Sequence, residues 1–83
     1  MNKILITIQP FVQLQHINCY NEDNDLISTD TCILKALPEY CKQLSKENPN
    51  LKYIILAGYS DFSKGIAKKI KTKVPHIQVT LAN

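Results

Sequence analysis

A chain of 83 residues and 9.4 kDa has, by area scaling, roughly 5,000 Å² of folded surface against about 13,600 Å² unfolded, so only ~60% can be buried. This allows one small core, and residues 1–83 are expected to form a single domain. With 45% hydrophobic and 20% charged residues the composition excludes disorder, two glycines and four prolines exclude collagen-like and low-complexity chains, and the net charge of +3 is mild. The longest unbroken apolar run, residues 53–57, is far short of the ~20 residues of a membrane helix. Thr7, Gln9 and Pro10 interrupt the apolar start before any signal-peptide pattern develops. The expectation is a cytoplasmic protein with no membrane segment.

All ten basic residues are lysine. Without a guanidinium fork there is no bidentate contact to a guanine edge or a phosphate, which argues against sequence-specific nucleic-acid reading. Cys19, Cys32 and Cys41 are odd in number, and their spacing fits neither a zinc knuckle nor a CxxC pair. Free thiols in a reducing compartment are the simplest account.

In chain order, residues 2–9 read as a strand with Ile4, Ile6 and Ile8 on one face and Leu5 and Thr7 on the other. Pro10 marks its end, and residues 11–20 read as a returning strand in which Val12, Leu14 and His16 oppose Gln13, Gln15, Ile17 and Cys19. The turn-forming run Asn21-Glu22-Asp23-Asn24-Asp25 leads into a short strand at 26–29. Ser28, Thr29 and Asp30 are candidate helix caps. Beyond them Cys32, Ile33, Leu34, Leu37, Tyr40, Cys41 and Leu44 recur at helical spacing. Pro38 splits this pattern into a short turn or loose helix near 31–36 and a firmer helix at 38–46, stopped by Asn48-Pro49-Asn50. The run Tyr53-Ile54-Ile55-Leu56-Ala57 is apolar on both faces, as in an interior parallel strand. A turn at Gly58-Tyr59-Ser60 opens a helix with Phe62, Ile66, Ala67 and Ile70 inward and Lys64, Lys68, Lys69, Lys71 and Lys73 outward. After Pro75, Ile77, Val79 and Leu81 alternate with Gln78 and Thr80 as an edge strand.

The resulting order is βββαβαβ. Short hairpins and right-handed crossovers make it an α/β fold with a five-stranded mixed sheet, order 3-2-1-4-5, and two helices on one face. The other face is then bare, although Leu5, alternate residues of 53–57, and either Val12 with Leu14 or Ile17 with Cys19 must point to it. Apolar side chains on an uncovered face mark an interface. A homodimer or a docked partner is expected on this face or at an exposed strand edge, with Leu5, Val12, Leu14, Ile77 and Val79 as the candidate contact residues.

Two-ion nuclease chemistry needs clustered carboxylates, one on the first strand, where this chain has only Thr7 and Gln9. Glu39 and Asp61 cannot complete such a site. The acids Glu22, Asp23, Asp25 and Asp30 lack calcium-loop spacing and suit a solvated hairpin. No metal, cofactor or catalytic residue is assigned, and the cysteines suit packing better than nucleophilic chemistry. The turn Gly58, Tyr59, Ser60, Ser63, Lys64 is the strongest small-molecule candidate, since it joins a parallel strand to a helix N-terminus, where anions such as nucleotide phosphates are favoured. His16 is a further candidate ligand contact.

The element order resembles the hairpin-then-α/β half of ribonuclease-H-like and actin-like folds. The segments His16-Ile17-Asn18-Cys19-Tyr20-Asn21, Leu26-Ile27-Ser28-Thr29-Asp30 and Ala57-Gly58 through Gly65-Ile66 resemble short accessory proteins encoded by tailed bacteriophages. That resemblance implies a non-enzymatic factor in the cytoplasm of an infected bacterium, one that occupies a host protein or sequesters a nucleotide.

Overall fold

The computed structural model describes residues 1–10, 14–58 and 60–82, with the side chains among them other than those of Pro10, Leu34 and residues 60–64. Strand β1 is Lys3–Pro10, β2 Leu14–Tyr20 and β3 Leu26–Ile33. A 3-10 turn at Leu34–Ala36 leads into helix α1, Leu37–Glu47. Strand β4 is Tyr53–Ala57, helix α2 Ser60–Lys73 and β5 Gln78–Ala82. The five strands form one sheet in the order β3-β2-β1-β4-β5, as the sequence leads one to expect. β2 is antiparallel to both its neighbours, whereas β1 pairs parallel with β4 and β4 parallel with β5.

Alternation fixes which face each strand presents. Ile4, Ile6 and Ile8 of β1 are buried, and their cross-strand partners include Cys19, Ile17, Ile54 and Leu56. Residues directly opposite in a ladder share a face, so these side chains make one apolar layer. Leu37, Cys41 and Leu44 of α1 and Ile66, Ala67 and Ile70 of α2 join the same core, which places both helices on that face. The folded surface is 5225 Å², close to the value that chain length alone sets.

The hairpin between β2 and β3 is closed by Asn21. Its side-chain oxygen accepts the backbone N–H groups of Asp23 and Asp25 at 2.9 and 3.0 Å, and Asn24 takes a positive φ of 64°. Asparagine tolerates that conformation better than most residues. At the far end of α1, the backbone N–H and side-chain amide of Asn48 both donate to the Leu44 carbonyl at 2.9 Å. Pro38 lies in the first turn of α1, where its missing N–H costs nothing.

Two expectations are corrected. β3 continues to Ile33 rather than ending at Thr29, so residues 31–33 are strand and not loose helix. Thr29, Thr31 and Ile33 alternate along the strand and pair with Asn18, His16 and Leu14, extending the ladder along the whole of β2. Ser28, Thr29 and Asp30 therefore lie inside a strand and cap no helix. The residue before α1 is Ala36, in helical conformation and with no side-chain cap, because the 3-10 turn feeds directly into the helix. Among the described residues, no helix is long and apolar enough to cross a membrane.

Candidate functional site

The face away from the helices carries a row of large apolar side chains in register across four strands. Leu26 of β3 opposes Tyr20 of β2, Tyr20 opposes Leu5 of β1, and Leu5 opposes Ile55 of β4. Leu5, Tyr20 and Ile55 are half-buried by one another and by adjacent rows. Leu14, Leu26, Ile33 and Tyr53 remain 45, 57, 50 and 42% exposed. Between the apolar row and the Leu14–Ile33 pair lie a row of Thr29, Asn18, Thr7 and Ala57 and a row of Thr31, His16 and Gln9. The face thus combines apolar anchors with hydroxyl, amide and imidazole groups, a mixture typical of interface surfaces.

Of the expected contact residues, Leu5 and Leu14 lie on this face. Ile17 and Cys19 point into the core, which settles the register of β2 in favour of Leu14 facing out. Ile77 and Val79 are corrected: at 4 and 5% exposure they belong to the core. β5 is an edge strand in hydrogen bonding, yet α2 packs over it and buries its inner face. Val12 lies outside the described residues. Sequence reasoning missed Tyr20, Leu26 and Ile33 as face residues; alternation from Leu14 and His16 reaches Tyr20 and alternation from Thr29 and Thr31 reaches Ile33, whereas Leu26 pairs with Tyr20 through a register shift that no sequence period marks.

His16 sits between two threonines of β3, with Nδ1 at 3.4 Å from Thr31 Oγ1 and Nε2 at 3.4 Å from Thr29 Oγ1. A neutral imidazole can donate to one hydroxyl and accept from the other. This is a cross-strand polar cluster and supplies no base with a free reacting partner.

The small-molecule turn is explained in part by packing. A Cβ on Gly58 would stand 2.8 Å from the Ile8 carbonyl oxygen, and φ there is +157°, so glycine is required by the close approach of β1. Tyr59 and the side chains of Ser60, Ser63 and Lys64 lie outside the described residues, and His16 is on the opposite sheet face from the core residue Ile8 that Gly58 approaches.

The three thiols are free. Burial raises the pKa of each, Cys41 to about 12, and the Tyr40 hydrogen bond only partly offsets the rise at Cys19. Burial thus disfavours the thiolate form at each. The Tyr40 hydroxyl, 2.8 Å from Ser28 Oγ and 3.3 Å from Cys19 Sγ, ties α1 to β2 and β3. Glu39, weighed as a metal ligand, instead pairs with Lys73 at 3.4 Å on the surface. Among the described residues, no group of three or more His, Cys, Asp or Glu side chains is arranged to hold a metal.

No protein-family model and no curated protein sequence matches the chain. Among solved structures, a chain described as a sugar kinase from Cytophaga hutchinsonii superposes with a TM-score of 0.64 at 9% identity over 96% of the present chain. The present chain spans only 36% of that structure. At this identity the likeness shows the shared strand order and helix placement, and the fold alone.

Proposed function

We propose that this chain is a small non-enzymatic binding protein that occupies a partner protein through the helix-free face of its sheet. The observation that carries the reading is the in-register row Leu26, Tyr20, Leu5 and Ile55, with exposed Leu14, Ile33 and Tyr53 around it. Sheets with parallel strands are normally covered on both faces, and a second layer supplied by another molecule would cover this one. Thiols whose thiolate form burial disfavours and the hydroxyl-bonded His16 support a binding role over a catalytic one. The likeness to phage accessory proteins suggests a host protein in the bacterial cytoplasm as the partner.

The test is affinity capture with the intact chain and two face variants, Leu5→Lys and Tyr53→Asp, each checked for native circular dichroism. Capture of a partner by the wild type and its loss in both folded variants is the expected result. A partner retained equally by both variants, or no partner recovered, overturns the proposal.

A further inference from the structure

The sheet has two open edges of opposite electrostatic character. Residues 4–34 contain Glu22, Asp23, Asp25 and Asp30 and no lysine, whereas residues 35–83 contain nine lysines against Glu39, Glu47 and Asp61. The strand order puts Asp30 of β3 at one end of the sheet and Lys68 and Lys71 of α2 beside β5 at the other, while α1, with Lys42 and Lys46, lies on the β3 side. Beside β3 the exposed Asp30 stands on the helix-side face, opposite buried Ile17. On the same side α1 turns Tyr40, Gln43 and Glu47 toward Ile27 and Ser28. Beside β5 a groove of about 530 Å³ has Ala67, Val79, Thr80 and Leu81 in its lining and is flanked by Lys68 and Lys71.

From this we infer that the occupant of the β5 edge is the β3 strand of a second copy, so that copies add head to tail into one continuous sheet. β3 runs parallel to β5, as its antiparallel pairing with β2 and the β2–β1–β4–β5 sequence of pairings require. Two copies set side by side with their helices on the same face therefore join β5 to β3 as a parallel pair. The helix-side residues Ser28, Asp30 and Cys32 of the incoming strand then lie over the groove, and Asp30 meets Lys68 and Lys71.

The two symmetric alternatives bring like charges together. Pairing β3 with β3 sets Asp30 and Glu47 against their own copies, and pairing β5 with β5 sets the lysines against each other. Like charges directly opposite in a sheet destabilise it. Neither edge strand contains a lysine or a proline, and the devices that do guard β3, the register shift beside Tyr20 and the inward-facing Asp30, leave residues 28–33 in regular pairing with β2. In the isolated chain the Asp30 carboxylate accepts the Thr31 backbone N–H at 2.7 Å, holding one edge donor until a neighbour arrives. A head-to-tail contact that does not close on itself builds an open series rather than a dimer.

The self-pairing uses the sheet edges and does not depend on the partner face proposed above. The test is sedimentation of the intact chain, of Asp30→Lys, and of the double variant Lys68→Glu with Lys71→Glu. All three positions are exposed, so the variants are expected to fold, and circular dichroism checks that they do. Wild type is expected to rise above the single-chain mass of 9.4 kDa with concentration and to fall back as salt is added. Each variant alone should remain at the single-chain mass. Mixed together they should associate again, because each supplies the edge the other has lost and the two reversed edges are themselves of opposite charge. Wild type that stays monomeric, association indifferent to the variants, or a mixture that does not associate overturns the inference. Monomeric wild type that captures a foreign protein, with capture lost only in the lysine double variant, assigns the groove to that protein and also overturns it. Loss of capture in Leu5→Lys with self-association intact separates this inference from the face proposal.

Discussion

Tyr40 holds two strands to one helix through a single oxygen, and both of its partners are polar groups that packing has removed from much of their water. Its hydroxyl is 2.8 Å from Ser28 Oγ and 3.3 Å from Cys19 Sγ, and burial pushes its pKa well above the usual tyrosine range. Tyr40→Phe strands both partners and is expected to cost about 1 kcal/mol, read as a lower urea midpoint at unchanged slope. Cys41 makes a sharper prediction. Its pKa rises from 9.0 to about 12 because burial disfavours the thiolate. Between those values the unfolded chain has released the proton while the folded chain keeps it, so the unfolded state binds fewer protons and stability falls as pH rises. Below pH 9 the group contributes no pH dependence. A three-unit difference corresponds to a loss on the order of 4 kcal/mol by pH 12. Cys41→Ala should flatten that decline in denaturant titrations run from neutral to alkaline pH. An unchanged decline in the variant would show that other groups carry it.

At the scale of elements the two glycines make opposite predictions from the same helix and its approach. Gly58 precedes α2 with its missing Cβ against the Ile8 carbonyl oxygen at 2.8 Å, so Gly58→Ala must displace β1 backbone and is expected to lower stability by about 1–3 kcal/mol. Gly65 lies within α2 with open space where a Cβ would stand, so Gly65→Ala should raise stability by roughly 1 kcal/mol. Thermal unfolding of the two variants side by side checks both signs. The element order and sheet order were legible because period-two alternation in β1, the doubly apolar β4 and the helical stripe of α2 each depend on residues close in sequence. The second half of β3 was not, since Cys32, Ile33 and Leu34 fit a helical spacing as well as a strand, and pairing with His16 and Leu14 decides between them. Leu5 and Leu14 were legible as face residues by alternation. Val79 was misplaced because a sequence marks an edge strand without marking that α2 lies over its inner side.

For the whole molecule, the one-sided core predicts how stability is distributed. β1 lies between β2 and β4 and contributes Ile4, Ile6 and Ile8 to the core, while β4 contributes Ile54 and Leu56. β3 is almost entirely exposed, with Ser28 and Cys32 its half-buried positions, so releasing it uncovers little apolar surface. Elements that bury little open at lower free energy than the global transition. Amide hydrogen exchange in dilute solution is therefore expected to grade outward, slowest in β1 and β4 and fastest in β3. Concentration then separates two origins of any protection found at the edges. Burial within one chain is independent of concentration, whereas pairing between copies protects β3 and β5 together as concentration rises and leaves β1 unchanged. β3 amides as slow as those of β1 in dilute protein would contradict the one-sided core. Protection that grows at β3 without growing at β5 would show that the two edges do not meet.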